Sequence, residues 1–230
     1  MAPSHSFGDP SRSSKSGGWG PHDKSREERG HGLQIDETVR ATIARVFAET
    51  IALHERVARL DPAPIVAAVD AMAASLARGG KMLAFGNGGS AADAQHLATE
   101  LVVQFSGTRR ALAAIALTAD TSVLTAVGND LGFERVFARQ IEALGRPGDI
   151  AFAISTSGRS PNVLRAVETA KPMGLVTIGL TGGDGGPLGR LVDTHINVPD
   201  PSTPRVQEVH RTLLHVICDL IEQRVAPGDD

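Results

Sequence analysis

The sequence predicts an α/β fold, a mostly parallel sheet covered by helices on both faces. Three observations carry that expectation. Five short apolar runs alternate with helical stretches, the apolar residues are mainly Ala, Val, Leu and Ile, and glycine and proline punctuate the junctions. Of 230 residues, 41% are hydrophobic and 3% aromatic, with no tyrosine, 25 glycines and 13 prolines. That length and apolar content suit one large domain or two small ones, and no second domain boundary or internal repeat is visible.

The first 32 residues hold 16 Gly, Ser or Pro, and only Met1, Ala2, Phe7 and Trp19 offer apolar surface. Such a segment cannot offset its own ordering entropy, so residues 1–32 are expected to be a disordered tail and residues 33–230 the domain. From about Leu33, Val39, Ile43, Val46, Thr50, Leu53, Val57 and Leu60 recur at alternating spacings of four and three, which predicts one long amphipathic helix. Phe47 and Ile51 widen its apolar side, so that one face packs on the domain and another meets a partner chain; an ordinary core helix is the alternative. Asp61-Pro62 reads as an N-cap and a first-turn proline for a second helix carrying Ile65, Val69, Met72 and Leu76, which Gly79-Gly80 stops.

The strand runs are Met82–Phe85, Ala111–Leu117, Ile150–Ile154, Leu175–Leu180 and His195–Val198. The helices between and after them are expected at about Ala91–Phe105, Thr121–Val127, Glu134–Leu144, Pro161–Lys171, Pro187–Leu191 and Pro204–Val225.

Charge and cysteine usage narrow the function. A net charge of −3, from 23 basic and 26 acidic side chains, argues against a phosphate-backbone-binding protein. The single cysteine, Cys218, forms no intrachain disulfide and no Cys-rich zinc site, which suits a reducing compartment, the cytosol by default. No apolar run approaches the roughly 20 residues that span a bilayer, and no secretory signal stands at the N-terminus.

Ligands of an open parallel sheet bind beyond the carboxyl ends of its strands. Two of the loops there are unusual: Gly86-Asn87-Gly88-Gly89-Ser90 and Ser155-Thr156-Ser157-Gly158-Arg159-Ser160, each running straight into a helix. Glycines permit close backbone approach, and a helix start with hydroxyls beside it cradles an anion, most naturally a phosphate. Neither loop has the GxxxxGK[ST] spacing and the first lacks the full GxGxxG, which disfavours a nucleoside triphosphate and NAD. Capped turns without a ligand are the alternative.

His96 and Glu100 sit four residues apart on the helix opened by the first loop, one turn apart on one face; Glu100 suits a base or a metal ligand, and a plain ion pair is the alternative. On the last helix Gln207 and His215 lie two turns along and about 80° around, so both can border one pocket, whereas His210 points about 140° away from His215. A buried structural role is open for His215, and His54 and His195 are expected to be structural.

Together, Gly86-Asn87-Gly88-Gly89-Ser90-Ala91-Ala92-Asp93-Ala94-Gln95-His96, Glu100, Ser155-Thr156-Ser157-Gly158-Arg159-Ser160-Pro161-Asn162, Gln207-Glu208, His210 and His215 resemble the sedoheptulose 7-phosphate isomerase (phosphoheptose isomerase) family over about Asp36 to Val225. The resemblance implies a sugar-isomerase (SIS) fold: a three-layer sandwich with a five-stranded parallel sheet flanked by helices and a long N-terminal helix for oligomer packing. It also implies a homotetramer with active sites at subunit interfaces, and an aldose–ketose isomerase making D-glycero-D-manno-heptose 7-phosphate for bacterial heptose biosynthesis. Substrate contacts carried over by the resemblance are Asn87, Gly88, Gly89, Ser90, Glu100, Asn129, Asp130, Ser155, Thr156, Ser157, Ser160 and Gln207. The same resemblance assigns Glu100 as base, His215 as proton shuttle, and His96, Glu100, Gln207 and His215 as ligands of one Zn2+ per subunit. The sequence departs from the family at Gly107-Thr108-Arg109-Arg110-Ala111, where members usually carry an Arg-Pro pair before the strand. A related SIS-fold binding protein, the DnaA initiator-associating protein, and an isomerase or sensor for another sugar phosphate are the alternatives; retention of Glu100 and His215 favours the enzyme.

Overall fold

The computed structural model describes residues 36–225; the expected tail, residues 1–32, lies outside the described residues, as do 33–35 and 226–230. The elements are α1 (Glu37–Ala58), α2 (Ala63–Ala77), β1 (Met82–Gly86), α3 (Gly89–Val102), β2 (Ala114–Ala116), α4 (Thr121–Asp130), a 3-10 turn (Phe133–Arg135), α5 (Ala138–Leu144), β3 (Ile150–Ser155), α6 (Pro161–Ala170), β4 (Val176–Gly182), α7 (Gly186–Leu191), β5 (Thr194–Val198) and α8 (Thr203–Arg224). By its contacts the chain divides after Ala41. Asp36–Ala41 form the opening of α1, where Asp36 Oδ1 accepts from the Thr38 N–H at 3.1 Å, and Thr42 onward forms the unit that holds the sheet.

All five strands are parallel, in the order β2-β1-β3-β4-β5. Alternation along each strand divides the core between the two faces. Met82, Ala84, Phe152, Ile154, Ile178 and Leu180 face a layer containing Val69 and Met72 of α2, Leu97 and Leu101 of α3, and Leu214 and Ile217 of α8. Leu83, Phe85, Ala151 and Ala153 face Ile141 of α5, Val163 and Val167 of α6 and Leu188 of α7. Both faces being covered explains why the strand runs are apolar throughout rather than alternating. The expected three-layer α/β arrangement is therefore present.

Several boundaries differ from the expected ones. The second strand shrinks from Ala111–Leu117 to three residues. It is an edge strand paired with β1 alone, and before it the Leu112 N–H is drawn to the Leu101 carbonyl at the end of α3. The third helix stops at Val102, not Phe105, because the N–H groups of Phe105, Ser106 and Gly107 turn to the Glu222 carboxylate. The helix expected over Glu134–Leu144 divides into the 3-10 turn and α5, since the Val136 N–H bonds the Phe133 carbonyl three residues back. Pro62 takes the cap position expected for Asp61, although Asp61 Oδ1 still accepts from the Ala63 N–H at 3.0 Å.

On α1, Leu53 is in the core while Val46, Thr50 and Val57 are half-buried. Ile43, Phe47 and Ile51 remain 52%, 64% and 57% exposed. The broad apolar side thus divides into one packed and one bare face, with Ile43 falling on the bare side. From β1 the chain passes first to β2 on one side and later to β3 on the other, which makes the carboxyl ends of β1 and β3 the topological switch point of the sheet.

Candidate active site

Both anion-type loops leave the sheet at that switch point. The first turns from β1 into α3 through Gly88, whose φ of +55° and ψ of −121° lie in a region open to glycine and costly for other residues. Ser90 is buried in the first turn of α3, directly after Gly89. The second loop leaves β3 at Ser155 and enters α6 at Pro161, with Ser160 at the cap position. Its Gly158 has φ +60°, and a Cβ there would collide with the Gly185 carbonyl. Ser155 Oγ lies 3.2 Å from Ser160 Oγ, and Ser157 Oγ accepts from the Arg159 N–H at 3.2 Å. The Thr156 carbonyl accepts from the Gly182 N–H at 3.0 Å, tying the loop to the end of β4. Three hydroxyls, of Ser155, Ser157 and Ser160, thus stand on one loop at the start of α6, an arrangement suited to an anion.

A reciprocal amide pair joins the two loops. Asn87 Nδ2 donates to Asn162 Oδ1 at 2.8 Å, and Asn162 Nδ2 donates to Asn87 Oδ1 at 2.9 Å. Asn162 had been visible only as the end of a motif, with no role of its own.

The chemical groups lie where α3 and α8 pack together. Gln207 rests against Gly89 at the loop end of α3, so close that a Cβ on Gly89 would strike the amide. One turn along both helices, Arg211 Nη2 and Nε reach Asp93 Oδ1 at 2.6 and 2.9 Å. One further turn brings His96 Nε2 within 2.8 Å of His215 Nε2 and 3.2 Å of Glu100 Oε1. These three side chains are half-buried, and one ligand atom from each lies within 4.8 Å of the others. The regular spacing of Gln207, Arg211 and His215, four residues apart each time, keeps all three on the side of α8 that meets α3.

Electrostatics follow from this packing. Burial raises the Asp93 pKa, and the Arg211 guanidinium opposes the rise. Burial, then Arg211 and the facing His215, hold His96 below its ordinary value, against the pull of Glu100 and Asp93. A neutral imidazole is a ligand and a proton acceptor, so His96 is kept in its useful form. Two imidazole nitrogens and a carboxylate oxygen form a donor set that fits a zinc-type cation.

The other sequence candidates separate cleanly. Asn129 and Asp130 stand exposed at the end of α4, and Asn129 Nδ2 donates to Asp130 Oδ1 at 2.7 Å; among the described residues no hydrogen bond joins them to either loop. His210 is fully buried, donates from Nε2 to the Thr181 carbonyl at 2.9 Å, and is pushed down to about 4 by burial. His195 Nε2 lies 2.6 Å from Thr181 Oγ1, and His54 bridges the Thr50 carbonyl and Thr212 Oγ1 at 2.8 and 2.9 Å. Each of the three is hydrogen-bonded within the protein, and a structural role was expected for His54 and His195. Asp93 and Arg211 were missed, although their positions three residues before His96 and four before His215 were a usable signal.

The chain is similar to known proteins in both sequence and fold. The SIS domain family matches residues 46–182. The phosphoheptose isomerase of Geotalea daltonii is 58% identical over 161 residues, 70% of this chain and 84% of that one. That of Paramagnetospirillum magneticum is 54% identical over 181 residues, 79% of this chain and 93% of that one. The solved structure of phosphoheptose isomerase from Neisseria gonorrhoeae superposes with a TM-score of 0.77 at 46% identity, covering 80% of this chain and 99% of that one.

Proposed function

The chain belongs to the phosphoheptose isomerases of the SIS-domain family, and from that premise we propose that it converts sedoheptulose 7-phosphate to D-glycero-D-manno-heptose 7-phosphate in bacterial heptose biosynthesis. It is a sugar-phosphate isomerase. The observation that carries the assignment of roles is the convergence of His96, Glu100 and His215 where α3 and α8 pack together, two turns along α3 from the loop that opens it.

An aldose–ketose isomerisation needs an anchored phosphate, a base beside the carbonyl and a group that moves protons between oxygens. Ser155, Thr156, Ser157 and Ser160 hold the phosphate at the start of α6, while Asn87, Gly88, Gly89, Ser90 and Gln207 line the sugar. Glu100 takes a proton from C1 of the ketose, leaving a cis-enediolate, and returns it to C2. His215 passes the proton between O1 and O2 and assists ring opening. Asn129 and Asp130 contact substrate only if a loop movement or a neighbouring subunit brings them to it. His96, Glu100, Gln207 and His215 would hold a Zn2+, which would supply positive charge for oxygens that become anionic.

The assembly belongs to the same proposal: a homotetramer with active sites at subunit interfaces, located in the cytoplasm. The bare face of Ile43, Phe47 and Ile51 supports the first, since exposed apolar patches of this kind mark contact surfaces. Ile43→Asp with Phe47→Asp should give a smaller species by light scattering; an unaltered oligomer would remove α1 from the interface. Leu53 is unsuitable for this test, because it is a core residue. The lone buried cysteine supports a reducing compartment.

The reaction is tested by NMR of purified protein with sedoheptulose 7-phosphate and, as control, fructose 6-phosphate. Conversion of the heptulose alone is expected. Conversion of fructose 6-phosphate at an equal or greater rate would contradict the substrate assignment, and turnover of neither would contradict the enzyme.

A further inference from the structure

The segment in which the sequence departs from its family's usual pattern, Gly107 to Ala111, is built around a buried carboxylate. After α3 ends, the chain wraps Glu222 of α8. Its Oε1 accepts from the Phe105 N–H at 2.7 Å and Arg109 Nε at 3.0 Å. Its Oε2 accepts from the N–H groups of Ser106 and Gly107 at 3.0 and 2.8 Å and from Ser106 Oγ at 3.2 Å. Arg109 then closes the carbonyl end of α3: Nη2 donates to the Glu100 carbonyl at 2.6 Å, and Nη1 to the carbonyls of Leu101 and Arg110 at 2.9 and 3.0 Å. The Arg109 and Glu222 side chains are 3% and 8% exposed.

Burial alone pushes the Glu222 carboxyl up, but the three backbone N–H groups and the Ser106 hydroxyl outweigh it and bring it down to about 2. The carboxylate is therefore ionised throughout the working range. One consequence lies at the chemical cluster. The Phe105 ring, carried by the first residue of this turn to bond Glu222, stands 5.4 Å from the His215 ring, whose other aromatic neighbour is His96 at 5.0 Å. Glu222 is seven residues beyond His215, close to two full turns, so both address the same side of α8.

Resting on the isomerase reading, the geometry points to Glu222 as a positioning residue: its carboxylate, with Arg109, folds the 105–109 turn so that Phe105 braces the His215 ring while the helix end carrying Glu100 is locked. Glu222 touches no reacting atom. It acts by setting where His215 and Glu100 stand relative to each other, and misplacing such groups by about 1 Å costs up to ~10²-fold in rate.

The test uses purified full-length protein. Glu222→Gln keeps the size but removes the charge that gathers five donors, and Phe105→Leu leaves the Glu222 network whole while removing the ring. Two readouts are taken: steady-state kinetics with sedoheptulose 7-phosphate, and the His215 ring C–H signal in NMR, assigned by its loss in His215→Gln, which feels the Phe105 ring current. Both variants are expected to shift that signal and to lower kcat by ~10-fold or more with KM changed less than about threefold. A Glu222→Gln protein with wild-type kcat and an unmoved His215 signal overturns the inference. Should Glu222→Gln fail to fold, Phe105→Leu decides, and wild-type kcat with an unmoved signal in that variant overturns it equally. If wild-type protein does not isomerise the heptulose while Glu222→Gln still moves the His215 signal, the positioning stands and the substrate assignment falls.

Discussion

Asn162→Ala removes half of the amide pair that joins the two anion loops. The two hydrogen bonds it deletes, at 2.8 and 2.9 Å, are worth about 0.5–1.5 kcal/mol each, so the fold should lose ~1–3 kcal/mol. The loss stays in that range because Asn87, left alone, is only half-buried and water can replace its partner. The functional effect should be larger in binding than in turnover. Asn162 stands in the first turn of α6, two residues after Ser160, and its pairing fixes that helix start against the loop that follows β1. If all of the lost energy appeared in binding, KM would rise by about 5- to 150-fold, which is the upper bound. The assay is a double-mutant cycle: urea unfolding and steady-state kinetics for Asn87→Ala, Asn162→Ala and the double variant. A coupling energy of about 1–2 kcal/mol is expected. Single effects that add to within ~0.5 kcal/mol, with KM unchanged in Asn162→Ala, would refute the reasoning.

Ser155→Ala combined with Ser157→Ala should raise KM by up to about 1.5–3 kcal/mol per lost hydroxyl with kcat little altered, and an unchanged KM in steady-state kinetics would put the phosphate elsewhere. His210 gives a pH dependence of stability. Burial lowers its pKa from 6.5 to about 4, so the unfolded chain binds the proton more readily; stability is full above about 6.5 and falls by up to ~3 kcal/mol as pH drops toward 4. Urea midpoints across that range should lose most of this slope in His210→Gln, and parallel slopes in the two proteins would contradict it.

Much of this was legible in the sequence because it is local. The loops after β1 and β3 were marked by glycine and serine immediately following apolar runs, and His96 and Glu100 by an i,i+4 spacing that only a helix makes adjacent. Pairing between distant residues was less accessible. His96 meets His215 across 119 positions and Asn87 meets Asn162 across 75, and nothing in residue spacing alone tells which helix faces which. Family resemblance supplied the first of these and not the second. Glu222 was invisible for the same reason: a lone glutamate near the end of an amphipathic helix has the pattern of a solvated charge, and only the return of the chain after α3 buries it. The second strand was overextended because an apolar run does not announce where its neighbour ends. On α1, likewise, periodicity identified the apolar residues but not which of Ile43 and Leu53 faces the core.

The central claim is that Glu100 removes the C1 proton while His215 serves the oxygens, and Glu100→Gln tests it most directly. The substitution preserves size and much of the hydrogen bonding but removes the basic oxygen. The measurement is solvent-deuterium incorporation at C1 of sedoheptulose 7-phosphate, followed by NMR in D2O, with zinc content and substrate affinity determined on the same preparation. Glu100 is also a candidate zinc ligand, so metal content separates loss of a base from loss of an ion. The account predicts that exchange and isomerisation, compared at matched zinc content, fall together by at least ~10²-fold while substrate still binds. A Glu100→Gln protein that exchanges deuterium at the wild-type rate would contradict it.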